Sequence, residues 1–111
     1  MGRAENCYCH NNDYHGIGFI TIDNNFSSSA ECICINNVCL SNAESGIRFG
    51  GATNIRCLNN MCCNNTNGII FSKKDEHGNS GYIGNNSLFS NTGSDMSVWT
   101  GADDGLIFIT T

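Results

Sequence analysis

The segment Asn37-Val-Cys-Leu-Ser-Asn42 places two Asn residues five positions apart around a short apolar core, and similar segments recur along the chain. The other copies are Asn6-Cys-Tyr-Cys-His-Asn11, Asn60-Met-Cys-Cys-Asn-Asn65 and Asn86-Ser-Leu-Phe-Ser-Asn91. The first Asn of the motif recurs at intervals of 31, 23 and 26 residues. Such intervals are too short for independent domains and lie within the range of solenoid coils. The sequence therefore predicts a stack of similar units.

A second motif, Gly-Ile-x-Phe, follows the first three copies, and a degenerate version follows the fourth. It reads Gly16-Ile-Gly-Phe19, Gly46-Ile-Arg-Phe49, Gly68-Ile-Ile-Phe71 and Asp95-Met-Ser-Val98. Within the second unit, residues 32–35, 38–40 and 47–49 are short segments rich in strand-forming residues and separated by turn signals. Three strands and three corners per unit describe a triangular coil. We therefore expect an all-β fold, a right-handed parallel β-helix (solenoid) of about four coils, in a single domain over residues 1–111.

Stacking of such coils places equivalent side chains above one another, with parallel strands about 4.8 Å apart. The predicted inward rows are Ile17, Ile47, Ile69 and Met96; Phe19, Phe49, Phe71 and Val98; Cys34, Cys57 and Ile83; and Tyr8, Cys39, Cys62 and Leu88. The first Asn of each motif, at positions 6, 37, 60 and 86, is assigned to the corner between the second and third strands. There Asn tolerates a left-handed backbone, and its amide can bond to the Asn above and below.

Charge and hydropathy exclude several classes of partner. The net charge is −5 with only five Lys and Arg residues, so no basic patch is available to neutralise several phosphates, and we expect neither nucleic acid nor membrane as a partner. No apolar run approaches the roughly 20 residues of a membrane span. The negative net charge favours binding of a neutral or cationic ligand.

The eight Cys residues are interpreted mainly as core residues. The repeat places Cys34 over Cys57 and Cys39 over Cys62, at interior positions that Ile and Leu occupy in the fourth unit. Buried free Cys behaves as a small hydrophobe. This interpretation is favoured over disulfides and over zinc, because the spacing of two close Cys-x-x-Cys pairs is absent. We expect no metal and no cofactor, and unpaired thiols favour synthesis in a reducing compartment.

These repeats resemble the right-handed parallel β-helix of the pectin-lyase-like superfamily over residues 6–108. That resemblance implies the fold, but the superfamily includes polysaccharide lyases, hydrolases and epimerases as well as tailspikes, adhesins and metal-transfer proteins. It also implies a substrate groove along the outside of the strand that follows the Gly loop. The outward row there is Gly18, Arg48, Ile70 and Ser97. Only Arg48 in this row is ionisable, whereas glycoside hydrolysis requires paired carboxylates.

Six residues are candidates for function. His15, Glu44 and Arg48 are expected to cluster across adjacent coils and are the candidate catalytic group. Trp99, Tyr14 and Tyr82 are candidate ligand-binding residues, because exposed aromatic rings beside polar side chains suit the faces of sugars. For each candidate, an ordinary surface or packing role remains an alternative.

Two functions follow. The first is a structural, carbohydrate-facing β-helix module of a tailspike, adhesin or polysaccharide-processing protein, without a complete active site. The second is a small polysaccharide lyase, hydrolase or epimerase acting through loop carboxylates and Arg48. The expected partners are a polysaccharide or glycan, and other β-helix segments or further copies, because neither end resembles a polar cap and the chain is predicted to be a segment of a longer solenoid. As part of a larger protein it would be extracellular or on a virion or cell surface.

Overall fold

The computed structural model describes residues 2–20, 31–72, 78–98 and 106–109, the last four by their backbone. The described residues form strands and connecting corners and contain no helix, and therefore no helix able to cross a membrane. The strands are β1 (Gly2–Glu5), β2 (Tyr8–His10), β3 (His15–Ile20), β4 (Cys32–Ile35), β5 (Val38–Leu40), β6 (Ser45–Gly50), β7 (Ile55–Leu58), β8 (Met61–Cys63), β9 (Asn67–Ser72), β10 (Gly81–Gly84), β11 (Ser87–Phe89), β12 (Ser94–Val98) and β13 (Leu106–Ile109).

The strands stack into three parallel sheets that wind as a β-solenoid. Sheet A has the order β1-β4-β7-β10-β13, sheet B the order β11-β8-β5-β2, and sheet C the order β12-β9-β6-β3. Successive strands of the chain pass from sheet A to B to C, and the next strand then pairs one level along in sheet A. The predicted all-β parallel solenoid is confirmed. The stack makes about three turns, against the expected four or so.

The Ile and Phe rows of sheet C lie in the predicted register. Ile47 pairs with Ile17 on one side and with Ile69 on the other, and Phe49 pairs likewise with Phe19 and Phe71. The Phe rings form a stack, with centroids 5.2 Å apart between Phe19 and Phe49 and 5.3 Å apart between Phe49 and Phe71. Ile47, Phe49, Ile69 and Phe71 are fully buried. Sheet C therefore supplies the bulkiest part of the core.

The predicted fourth inward row was wrong in the first coil. Cys39 pairs with Cys9, and Tyr8 pairs with Val38 on the outward side of sheet B. Tyr8 is accordingly 59% exposed. The error is a shift of one residue: the in-register copy of the motif runs from Cys7 to Asn12, not from Asn6 to Asn11. Because side chains alternate between faces along a strand, this shift exchanges the interior and the surface.

Asn side chains form two ladders, at two corners of the coil. The first joins Asn37, Asn60 and Asn86, and it lies between the strands of sheets A and B, not at the predicted corner between the second and third strands. The second, which the sequence analysis did not identify, lies at that corner and joins Asn12, Asn42, Asn65 and Asn91. Within these ladders the amide-to-amide distances are 2.8–3.2 Å. Both Asn residues of the repeated motif therefore have a structural role.

The left-handed backbone belongs to the residues that precede the ladder positions. At the first corner these residues have φ between 55° and 58°, and they are Asn6, Asn36, Asn59 and Asn85. At the second corner φ lies between 55° and 57°, at Asn11, Ser41, Asn64 and Ser90. Asn is one of the few residues that adopts this conformation readily. At each corner, one residue thus adopts the left-handed turn conformation, and the next residue forms the side-chain ladder.

Candidate functional site

His15, Glu44 and Arg48 lie together at the corner that leads into sheet C. His15 opens β3 and pairs with Ser45, the first residue of β6, while Glu44 directly precedes that strand. Arg48 points outward from β6, one level along from Gly18. The predicted clustering of the three residues across adjacent coils is confirmed. Their role in catalysis stays a prediction.

Both ring nitrogens of His15 are engaged by neighbouring side chains. His15 Nδ1 lies 2.7 Å from Ser45 Oγ, and Nε2 lies 3.3 Å from Arg48 Nη1 and 3.4 Å from Glu44 Oε2. A guanidinium can only donate, so the contact with Arg48 requires Nε2 to accept a hydrogen bond. The ring then carries its proton on Nδ1 and donates it to Ser45 Oγ. This geometry describes a neutral imidazole.

The surroundings of His15 favour the same neutral form. Burial lowers the pKa of His15 from its ordinary value of 6.5, and the neighbouring Arg48 charge lowers it further, while Glu44 opposes them. The side chain of His15 is 13% exposed, against 49% for Glu44. On protonation, Nε2 would stop accepting a hydrogen bond from Arg48 and would donate one to Glu44. The cluster therefore has two alternative hydrogen-bonding arrangements, selected by one proton.

Two serines that the sequence analysis did not single out complete the cluster. Ser45 is fully buried beneath His15, and Ser72 Oγ accepts a hydrogen bond of 3.3 Å from Arg48 Nε. Ser72 is the last residue of β9, one coil beyond Arg48. Extending the Gly-Ile-x-Phe alignment by one residue at each end would have found both, because Ser45 begins β6 opposite His15 and Ser72 ends β9 in the coil after Arg48. The cluster is thus tied to three successive coils.

The outward row of sheet C has the predicted register but not the predicted exposure. Arg48 pairs with Gly18 and with Ile70, and Ser97 follows in the next coil. Ile70 is only 5% exposed, so the groove expected along this row is not an open polar surface. Glu44 is the single carboxylate among the described residues that contact His15 or Arg48. Paired carboxylates for glycoside hydrolysis are therefore not present at this corner in the described part of the chain.

The candidate aromatic residues are separated. Tyr14 directly precedes His15, its ring is exposed, and its carbonyl oxygen accepts a 2.8 Å hydrogen bond from the Glu44 amide. Tyr82 is exposed on sheet A, where it pairs with Arg56 and borders a shallow pocket of about 140 Å³ with Glu31 and Asn54. Trp99 lies outside the described residues. Only Tyr14 is therefore placed beside the His15 cluster.

The comparisons with models of known protein families, with curated proteins and with solved structures found no match. The assignment to a β-solenoid therefore depends on the strand register of this chain itself. The resemblance to the pectin-lyase-like superfamily stays a prediction.

The cysteines lie mainly in the core, as predicted. Cys34, Cys39, Cys57 and Cys62 are fully buried, and all eight Cys residues are free thiols. Cys39 pairs in register with Cys62, and Cys34 with Cys57. A hydrogen bond with the Cys39 thiol and burial raise the pKa of Cys62, and the corresponding contact with Cys34 and burial raise that of Cys57. Among the described residues, no group of three or more His, Cys, Asp and Glu side chains is placed to hold a metal ion.

Proposed function

We propose that this chain is a carbohydrate-binding β-solenoid module that holds a neutral glycan at the corner between sheets B and C without cleaving it. The observation that carries the proposal is that Tyr14, 68% exposed, directly precedes His15 and accepts a 2.8 Å hydrogen bond from the Glu44 amide through its carbonyl oxygen. Carbohydrate sites commonly combine an aromatic face with a few fixed polar groups. Tyr14 supplies the first feature, and Glu44 and Arg48 supply the second.

The charges at this corner favour a neutral ligand. Arg48 and Glu44 carry opposite charges on either side of a neutral His15, and the chain as a whole carries −5. Among the described residues at this corner, an acidic polysaccharide would meet one cation, Arg48, in a molecule with a net charge of −5. A neutral sugar can donate hydroxyl hydrogen bonds to the half-exposed Glu44 carboxylate and accept them from Arg48. Binding of this kind requires no net charge on the glycan.

The alternative of a polysaccharide lyase, hydrolase or epimerase has weaker support. Hydrolysis would need a second carboxylate, which no described residue in contact with His15 or Arg48 supplies beside Glu44, and in neutral His15 Nδ1 donates to Ser45 while Nε2 accepts from Arg48. A general base must reach the proton that it abstracts. His15 would first have to lose the hydrogen bond from Arg48, because a base needs a free lone pair at Nε2.

Titration calorimetry with neutral polysaccharides, chosen by a glycan array, tests the proposal. Tyr14→Ala and Arg48→Ala should each weaken binding by tenfold or more, a loss of about 1.4 kcal/mol. Tyr82→Ala is the matched control, since it removes a similarly exposed tyrosine from a different sheet. Equal effects of Tyr14→Ala and Tyr82→Ala, or no binding by the unmodified chain, would contradict the proposed site. A reducing-end assay on the same polysaccharides covers the alternative: turnover that Arg48→Ala abolishes would establish an enzyme.

A further inference from the structure

The outward side of sheet B is an apolar surface that the solenoid does not cover with any described residue. It consists of the outward residues of β2, β5, β8 and β11, and we call it the sheet B face. Its members are Tyr8, His10, Val38, Leu40, Met61, Cys63, Ser87 and Phe89. The corners on both sides of these strands are described throughout, so the boundaries of the face are defined.

This face combines large exposed side chains with an absence of charged residues. Tyr8 is 59% exposed, Phe89 47% and Met61 40%, while Val38 and Leu40 are half-buried between them. None of the eight residues is Asp, Glu, Lys or Arg, although the chain carries a net charge of −5. Contiguous apolar patches larger than a few hundred Å² are rare on monomeric proteins and, when rimmed by polar residues, mark interaction sites.

The other two sheets have different outward faces. Sheet A presents apolar residues such as Leu58 and Tyr82 but also the charged Arg3, Glu5 and Arg56, and sheet C presents Ile20 and the charged Arg48. An ion pair of 2.7 Å joins Arg3 to Glu5 on sheet A. Among the described outward faces, the absence of charged residues is therefore specific to sheet B and does not follow from the fold alone.

Polar corner residues border the sheet B face on both sides. They are the exposed residues with left-handed backbone, Asn6, Asn36, Asn59 and Asn85 along one side and Asn11, Ser41, Asn64 and Ser90 along the other. An apolar centre between polar borders is the usual anatomy of a protein interface. The amides and hydroxyls at these borders can form hydrogen bonds across a contact without bringing charge into it.

We propose that the sheet B face binds the same face of a second copy of this chain, forming a two-fold symmetric dimer. An uncharged face offers no ion pair to an acidic or a basic partner, whereas a second copy meets an apolar surface of equal size. Strands in both copies have the same spacing of about 4.8 Å, so rows of side chains on one face fit between the rows of the other.

The size of the face sets the strength of the contact. Eight outward residues with eight border residues make a patch somewhat smaller than the roughly 20–30 residues per partner of a standard interface. The dimer is therefore weak, with a dissociation constant in the micromolar range. Because the contact is the same patch on both copies, it closes at two chains, unlike stacking of solenoid ends, which would continue into filaments.

Sedimentation velocity over a range of concentrations tests the proposal. The unmodified chain should pass from monomer to dimer over a range of about 1–100 µM, and Met61→Glu should raise the dissociation constant tenfold or more by placing like charges opposite each other. Ile20→Glu is the matched control, because Ile20 is 39% exposed and lies on sheet C. This control should dimerise like the unmodified chain, and circular dichroism verifies that both variants fold.

Three results would overturn the proposal. The first is a monomer at every concentration. The second is an equal loss of dimer in both folded variants, and the third is growth beyond two chains that Met61→Glu leaves unchanged. The last result would assign association to the solenoid ends. None of these outcomes bears on glycan binding, since the sheet B face excludes Tyr14 and Arg48.

Discussion

At the scale of single residues, Asn60 joins three successive coils through its side-chain amide. Its Nδ2 donates to the Cys34 carbonyl at 2.9 Å and to Asn86 Oδ1 at 3.0 Å. Its Oδ1 accepts from the backbone and the side chain of Asn37 at 3.0 Å and 2.9 Å. Asn60 is 1% exposed, so water cannot replace these bonds. The ladder therefore provides hydrogen-bond partners for backbone groups at this corner.

Asn60→Ala should lower the free energy of unfolding by roughly 3 kcal/mol, because it leaves several buried donors and acceptors without partners. Chemical denaturation measures the change. Asn59→Gly is the control: Asn59 is exposed with φ of 57°, a conformation that Gly adopts without strain, so the change should be below about 1 kcal/mol. Similar losses in the two variants would show that the corner backbone, and not the amide ladder, stabilises the stack.

His15 makes stability depend on pH. Its pKa in the folded chain is lowered from 6.5 by burial and by Arg48, so the unfolded chain binds the proton more readily. Neutral His15 contributes its full share to the free energy of unfolding above the pKa that it has in the unfolded chain. That contribution is lost as the pH falls from about 6.5 through the lower pKa of His15 in the folded chain. Between pH 7.5 and pH 5, the unmodified chain should lose more stability than His15→Gln. Equal losses in the two chains would mean that His15 does not titrate differently on folding.

At the scale of elements, Gly16, Gly46 and Gly68 stack where the chain enters sheet C. A Cβ on Gly46 would lie 2.8 Å from Cys62 Sγ and 2.9 Å from the Gly68 carbonyl oxygen. The backbone oxygen cannot move aside as a flexible side chain can. The close approach of neighbouring coils at this bend therefore requires glycine.

Gly46→Ala should destabilise the chain by about 1–3 kcal/mol, because the added methyl forces adjacent coils apart. Gly18→Ala is the control, because Gly18 also lies in sheet C and a Cβ at that position would meet only Ile20, at 3.7 Å. That control should be neutral or slightly stabilising. Thermal unfolding of both variants measures the difference, and a neutral Gly46→Ala would show that the coils can separate at this bend.

The sequence predicted sheet C well and the first coil badly, for physical reasons. Ile and Phe recur there with side chains too large and apolar to face solvent, so Phe49 and its neighbours could be aligned without ambiguity. In the first coil, Asn6 and Asn11 repeat the spacing of the motif one residue early. Both the turn position and the ladder position accept Asn, and residue type alone does not distinguish them. The pairing of Cys9 with Cys39 resolves the register.

The candidate site was predictable only in part. His15 lies in one repeat, Glu44 and Arg48 lie at nearby positions of the next, and repeat alignment was sufficient to bring them together. The engagement of both His15 nitrogens depends on side-chain conformations and on the burial of Ser45, and no sequence pattern reports these. Tyr14 and Tyr82 were grouped by chemistry, whereas the winding of the chain places Tyr14 just before β3 and Tyr82 within sheet A.

At the scale of the whole molecule, burial is deepest in the middle coils. The column of inward residues in sheet B shows this directly: Cys39 and Cys62 are fully buried, whereas Cys9 in the first coil and Leu88 in the last are partly exposed. Coils of a solenoid contact only their neighbours, so an outer coil has half the contacts of an inner one. Stability should therefore decrease from the centre of the described stack toward β2 and β11.

The reactivities of three cysteines can measure this gradient in stability, because the same residue type occupies the same inward position on three successive levels, at Cys9, Cys39 and Cys62. Pulsed alkylation in native buffer, followed by peptide mass spectrometry, should modify exposed Cys7 first and Cys9 next, through opening of the first coil. Cys39 and Cys62 should react only at the rate of global unfolding. Added denaturant should accelerate the inner pair more steeply than Cys9, since global unfolding exposes more surface. Equal rates and equal denaturant dependence at all three cysteines would mean that the stack opens as a single unit, and the gradient would be wrong.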